Sequence, residues 1–151
     1  MGAGEEPRKS DMHHMHPSKS NINSDRGNNP YDEILDTETD TWYWLDIALD
    51  DIPSEDIDEY SESVYNSFEP REARKGDIAR SMFYFYTMYS DDADLDFFNM
   101  QKDVLKSWHE QDPPDPNEIG RTWKIAEYQE DKPNPFVLDF TLIQRAYFSD
   151  E

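Results

Sequence analysis

Most of the side chains that could do chemistry lie in one stretch, residues 11–28. Three of the chain's four histidines are there, followed by a run of amide and charged side chains. The members of this set are His13, His14, His16, Asn23, Asp25, Arg26 and Asn28. Imidazole serves as a general base, amide oxygens bind hard cations, and guanidinium groups bind phosphate. The set is therefore typical of a site for phosphodiester chemistry.

Two other interpretations of these residues are open. Three histidines could bind zinc, but His13 and His14 are adjacent and point apart in regular structure, and no fourth ligand has a familiar spacing. A histidine-rich loop, in which the imidazoles bond the backbone and Asn or Asp side chains close turns, is the structural alternative. It explains each residue singly, but not why the amide and charged side chains cluster directly after the histidines.

The order of the residues carries a resemblance. Residues 11–17 read Asp-Met-His-His-Met-His-Pro, and residues 23–28 read Asn-Ser-Asp-Arg-Gly-Asn. This pattern closely resembles the segment of the bacterial endonuclease I family in which an Asp-Met-His stretch precedes an Asn-x-Asp-Arg-x-Asn helix start. Residues 74–85 resemble the family's glycine-led helix, and residues 125–136 its C-terminal helix and Asn-Pro-aromatic loop. Together the three blocks extend the resemblance over about residues 11–148.

The resemblance implies an α+β fold, mainly α, of the His-Me finger (ββα-metal) type, in which two strands and a helix hold one divalent cation. We expect the N-terminal ββ part to be missing or degenerate, because ten residues before Asp11 are too few for it. By carry-over, Asn23 is a ligand of Mg²⁺ or another divalent cation. The implied function is a metal-dependent endonuclease that hydrolyses DNA, or also RNA, with little sequence preference. Such a protein is secreted or periplasmic.

The general base is where the sequence departs from the family. The family pattern has a Glu-His pair upstream of the Asp-Met-His stretch, with the glutamate as second metal ligand and the histidine as base. No such pair precedes Asp11, and Glu6 is followed by proline. We therefore expect either a truncated nuclease, which we favour, or a remnant without full activity. His13 and His14 are the weak substitutes for the missing base.

Four basic residues are the predicted nucleic-acid contacts: Arg26, Arg74, Lys75 and Arg80. Arg26 is close in sequence to Asn23 and could instead pair with Asp25. The other three belong to the one basic cluster of an acidic chain, which favours contact with phosphates.

Apolar spacing predicts the elements that would position these residues. We expect a helix that begins at Gly76-Asp77 and runs to about residue 89, and others over about 97–108, 117–128 and 138–146. Residues 42–49 predict a short strand or loop. Residues 1–10 read as a flexible lead-in to one domain, residues 11–151. No apolar run approaches the roughly 20 residues that span a bilayer, so we expect no membrane partner.

The charge of the chain is strongly negative. Against 14 Lys and Arg there are 35 Asp and Glu, giving a net charge of −21, and residues 31–70 contain no Lys or Arg. Such a surface suits either high salt or a basic partner. The alternative function is therefore a catalytically inactive acidic module that binds a basic partner or mimics nucleic acid. The absence of cysteine excludes disulfides and thiol catalysis.

Overall fold

Four short strands form one antiparallel sheet in the acidic part of the chain. In the computed structural model, which describes residues 6–149, the strand order is β2-β1-β3-β4. The strands are β1 (Thr41–Trp44), β2 (Ile47–Leu49), β3 (Ser61–Val64) and β4 (Ser67–Glu69). The expected strand or loop over residues 42–49 is thus a complete hairpin, and a second hairpin follows it.

Packing of one aromatic side chain explains why the sheet forms. Trp42 on β1 has no exposed surface, and its neighbours across the strands are Leu49 on β2 and Glu62 on β3. The turn between β1 and β2 places Leu45 at a φ of 51°, and the Leu45 side chain is exposed. The sheet is therefore anchored by its aromatic inner face while its turn projects into solvent.

Helices make up more of the chain than strands. They are α1 (Ser20–Arg26), α2 (Lys75–Met88), α3 (Leu95–Gln111), α4 (Pro116–Ala126), α5 (Pro135–Leu138) and α6 (Leu142–Tyr147). Short 3-10 turns occupy Met12–His14, Ile57–Glu59 and Glu72–Arg74. The predicted α+β class is confirmed, whereas the His-Me finger type stays a prediction.

Helix α2 runs through the core and is buried along most of its length. Phe83 at its centre has no exposed surface and contacts the rings of Phe98 on α3, Phe136 on α5 and Tyr147 on α6. Helices α3, α5 and α6 therefore pack around the centre of α2.

The start of α2 differs from the expectation, because the helix begins at Lys75 rather than after a Gly76-Asp77 cap. Gly76 instead lies where α2 comes into close contact with the end of α3. A Cβ at this position would lie 1.9 Å from the carbonyl oxygen of Asp112, and the Gly76 N–H donates to the Asp112 carboxylate at 2.9 Å. Only glycine allows the N-terminal end of α2 to meet the C-terminal end of α3.

The C-terminal part forms two short helices instead of the single helix predicted over residues 138–146. Asn134 caps α5 by accepting from the Phe136 N–H at 2.9 Å. Asp139 has an extended backbone that ends α5, and its side chain accepts from the backbone and hydroxyl of Thr141. This local capping explains the break.

Tyr31 joins the sheet to the helices. It forms an isolated parallel bridge with Phe68 on β4, and its ring contacts Trp108 on α3. Within residues 6–149, no helix is long and apolar enough to cross a membrane. The lead-in predicted for residues 1–10 lies half outside the described residues; residues 6–10 form turns.

Candidate functional site

Asp11 begins the candidate segment and acts as a buried hub. Its carboxylate accepts hydrogen bonds from the hydroxyls of Tyr84 (2.8 Å) and Tyr89 (2.6 Å), from Gln129 Nε2 (2.9 Å) and from the His13 N–H (2.9 Å). Burial by itself raises the pKa of this carboxyl, but the four donors outweigh burial and hold it below the usual range. Asp11 therefore stays ionised and fixes the segment against α2.

His13 is locked into the core. Its Nε2 donates to the carbonyl oxygen of Lys132 at 2.9 Å, its Nδ1 lies 3.5 Å from the Thr122 hydroxyl, and only 1% of the residue is exposed. Burial lowers the pKa of His13, so the ring is neutral. Because both ring nitrogens are used inside the protein, this geometry corrects the prediction that His13 serves as a substitute base.

His14 is placed differently from His13. Its ring packs edge-on against Phe85, with 5.0 Å between centroids, and its Nδ1 is buried without a hydrogen-bond partner among the described residues. Burial lowers the pKa of His14, which keeps the imidazole in the neutral form that can accept a proton. A catalytic role for His14 stays a prediction.

His16 reaches α2. Its Nε2 lies 2.7 Å from the hydroxyl of Ser81, which in turn donates to the Asp77 carbonyl oxygen at 2.9 Å. Since the Ser81 proton is used on that carbonyl, His16 Nε2 is the donor to Ser81. Burial lowers the pKa of His16 to about 4. The pair tethers the segment to α2 and does not form an activated serine.

Asn23 lies on α1 with an exposed side chain. Within residues 6–149 that side chain makes no hydrogen bond, and only its backbone is engaged, through Lys19 and Gly27. Its neighbour Asp25 is held by the hydroxyl of Tyr43 on β1, 2.6 Å away. The structure thus leaves the Asn23 amide exposed to solvent, on a helix that Tyr43 holds through Asp25.

The described residues do not complete a divalent-cation site by themselves. Among residues 6–149, no three His, Asp or Glu side chains are grouped so that they could hold a metal ion. Asn23 offers a single neutral oxygen, and the nearest carboxylate in sequence, Asp25, is engaged by Tyr43. A hard cation takes six or more oxygen ligands, so most of them would have to come from outside this set.

Arg26 turns inward from the end of α1. Its guanidinium lies over the ring of Tyr31, 4.5 Å from the centroid, and its Nε is buried without a hydrogen-bond partner in the described part of the chain. Among residues 6–149, Arg26 forms no ion pair with Asp25, whose carboxylate accepts from Tyr43 instead. Contact with phosphate stays a prediction for Arg26 and would have to use its outer nitrogens.

Arg74 and Lys75 are adjacent but differ in environment. The Arg74 side chain is 54% exposed and pairs with Asp77 at 2.7 Å. Lys75 is only 3% exposed, and its Nζ lies between Glu69 (2.7 Å) and Glu72 (2.6 Å). Burial alone lowers the pKa of Lys75, but these carboxylates and Glu33 outweigh it and raise the pKa above its ordinary value. Lys75 is therefore buried and neutralises the buried carboxylate of Glu69, which corrects its predicted contact with nucleic acid.

Arg80 has no exposed surface at all. Its Nε donates to both carboxylate oxygens of Glu118 on α4, at 2.8 and 2.9 Å, and its Nη1 donates to the Asp112 carbonyl oxygen at 2.7 Å. His109 Nδ1 lies 3.3 Å from the same Nη1. Arg80 is thus a buried clamp between α2, α3 and α4, and the prediction that it contacts phosphate is wrong.

Sequence reasoning did not single out Arg121 on α4. Its Nη2 donates to the carbonyl oxygens of Met12 (2.8 Å) and Met15 (2.6 Å), on either side of the histidine pair. The only signal in the sequence is a basic residue on the polar face of a predicted helix, which is also typical of an ordinary solvated face. Arg121 fixes the histidine segment to α4 and brings positive charge beside it.

Comparison with known protein families identifies the class of this protein. The Endonuclease I family model matches residues 1–140. This chain belongs to the Endonuclease I family, and the predicted resemblance is confirmed.

Two similar proteins are both called extracellular ribonuclease. The one from Bacillus subtilis (strain 168) is 29% identical over 145 residues, which cover 84% of this chain and 43% of that protein. The one from Bacillus amyloliquefaciens is 29% identical over 140 residues, with the same coverage of 84% and 43%. The chain thus spans less than half the length of these relatives. No solved structure gives a significant match.

Proposed function

We propose that this protein is a nuclease that hydrolyses phosphodiester bonds in DNA, and also in RNA, with little sequence preference. The observation that carries the proposal is Asn23. It stands exposed and unengaged at the family's Asn-x-Asp-Arg-x-Asn position, while the histidine segment before it is tied down by Asp11, His13 and His16. A functional site requires an accessible polar side chain whose surroundings are held rigidly in place.

Metal dependence is part of the proposal. Asn23 supplies one oxygen ligand to Mg²⁺ or another divalent cation, and the remaining ligands come from phosphate, water and carboxylates. The names of the two Bacillus relatives support a ribonuclease activity and an extracellular location, which we propose for this protein as well.

A second candidate function rests on the acidic region. Of the fourteen acids between residues 31 and 70, all except Glu62 and Glu69 are exposed. This surface supports an acidic module that binds a basic partner. It competes with the nuclease proposal only if the protein binds polycations and leaves nucleic acid intact.

The test compares two asparagines on the same helix. Asn21 and Asn23 are both exposed on α1, and two positions along a helix point to roughly opposite sides. Supercoiled plasmid and a single-stranded RNA are incubated with the protein and Mg²⁺, with and without EDTA, over a salt series. We expect cleavage that EDTA abolishes, that Asn23→Ala loses and that Asn21→Ala retains.

Two results would overturn the proposal. The first is intact DNA and RNA at every salt concentration, above all if polylysine binds at the same time. The second is equal cleavage by both variants, which would remove the role given to Asn23.

A further inference from the structure

A groove of about 440 Å³ runs along one face of α4 and ends at the histidine segment. Gly120, Arg121 and Lys124 line it from the helix, Tyr128 closes one end, and Met12 forms the opposite wall. Asp115 caps α4 and accepts from the Glu118 N–H at 2.7 Å, so the helix wall of the groove is well defined. The volume falls in the range of sites that hold a nucleotide-sized ligand.

The lining of the groove has the opposite charge to the chain as a whole. It contains Arg121 and Lys124 and no carboxylate, although acids outnumber bases 35 to 14 in the sequence. Lys124 is exposed and, within residues 6–149, makes no ion pair or hydrogen bond through its side chain. The carboxylate of Glu118 on the same helix is bound to buried Arg80 and does not face the groove. The groove therefore favours an anion.

Gly120 is a second, independent observation. A Cβ at this position would meet nothing within 4 Å, so packing does not require a glycine there. Glycine in the middle of a helix costs stability relative to alanine. What the missing side chain provides is open space in the floor of the groove, directly beside Arg121.

Tyr128 supplies the aromatic surface. The residue is 79% exposed at the groove, two residues after α4 ends. Exposed aromatic rings beside basic residues are the elements with which proteins bind single-stranded nucleic acid, through base stacking and phosphate contacts.

We propose that this groove binds a nucleotide segment of a single-stranded nucleic acid, with its phosphates on Arg121 and Lys124 and a base on Tyr128. The proposal rests on the proposed function, because the ligand of the groove is a segment of the same nucleic-acid substrate. Arg121 also holds the backbone of Met12 and Met15, so substrate in the groove lies against the segment that leads to α1.

The test measures binding without catalysis. Fluorescence anisotropy of a labelled single-stranded oligonucleotide is recorded in EDTA, so that affinity does not depend on cleavage. Lys124→Gln removes one phosphate contact, and we expect the slope of log affinity against log salt to fall by about 1. Lys102→Gln on α3 is the charge-matched control and should leave the slope unchanged.

Two further variants address the base and the open floor. We expect Tyr128→Ala to weaken binding by roughly 5- to 100-fold, whereas Tyr65→Ala, at a tyrosine that is 93% exposed on the β3–β4 turn, should have no effect. Gly120→Leu should block binding while the urea midpoint stays equal or rises. Arg121 is not suited to this test, because its replacement also frees the histidine segment.

The outcomes separate this proposal from the proposed function. Oligonucleotide binding that is unaffected by Lys124→Gln, Tyr128→Ala and Gly120→Leu overturns the groove, even if the protein cleaves nucleic acid through Asn23. Binding that depends on these residues in a protein without cleavage supports the groove and removes the nuclease proposal alone.

Discussion

Replacing Arg80 with methionine tests whether a basic residue in a nuclease-like motif is structural or functional. Arg80 is fully buried and paired with Glu118 at 2.7 Å. Arg80→Met leaves that carboxylate buried without its cation and leaves the Asp112 carbonyl without a donor. Breaking a buried pair from one side costs about 3–5 kcal/mol. Domains have a total stability of about 5–15 kcal/mol, so the variant should lose at least about a fifth of it.

The assay is urea unfolding followed by tryptophan fluorescence. Arg74→Met is the matched control, because Arg74 lies on the same stretch but is 54% exposed and, among residues 6–149, pairs with Asp77 alone, an interaction worth about 0–1 kcal/mol. The double variant Arg80→Met with Glu118→Leu removes both charges. Apolar replacement of a whole buried pair is often neutral, so the double variant should recover most of the loss.

One result would refute this reasoning. Suppose that the free energy of unfolding of Arg80→Met lies within about 1 kcal/mol of that of the unmodified protein, and that the variant nevertheless loses nucleic-acid binding. Arg80 would then not be a buried clamp. The original prediction of a phosphate contact would then stand.

Three further predictions concern packing and titration. Gly76→Ala should lower the unfolding free energy by about 1–3 kcal/mol, because a Cβ there overlaps a carbonyl oxygen at 1.9 Å; Gly120→Ala, which meets nothing, should raise it, and equal urea midpoints would contradict this. The pKa of His16 falls to about 4 in the folded state, so the unfolded chain binds more protons and stability should fall as pH drops from 6.5 to 4. That loss is at most about 3 kcal/mol; His16→Gln should flatten this part of the stability curve, and an unchanged slope would refute the assignment. Lys75→Met leaves the Glu69 carboxyl, which is 4% exposed and whose pKa burial raises, without its cation, so urea titrations should show a larger loss of stability at pH 8 than at pH 5, because only the charged form needs the lysine. A loss that is equal at both pH values would show that Glu69 does not need the lysine.

The helices were predictable because their apolar residues recur at helical spacing. Phe85 on α2, and Leu105 and Trp108 on α3, face the core that the spacing indicates, and Tyr89 packs against it just after α2 ends. The sheet was not predictable in the same way, because its strands are only three or four residues long. Glu62 also occupies a buried position where a polar residue predicts exposure, and burial raises its pKa to about 7.

The site residues show a similar limit. Residue types identified the histidine segment and Asn23, but not which side chains are buried. Arg80 and Lys75 read as a basic cluster because they are close in sequence. Their carboxylate partners, Glu118 and Glu69, are supplied by α4 and β4, and no local spacing reveals that contact.

The acidity of the chain and a nucleic-acid substrate are compatible because charge acts over short distances. At physiological ionic strength the Debye length is about 8 Å, so a phosphate in the α4 groove responds to Arg121 and Lys124 far more than to the distant acids of the sheet. Residues 31–70 contain many exposed carboxylates and no Lys or Arg. They therefore repel nucleic acid from the sheet, whereas the groove presents Arg121 and Lys124 to it.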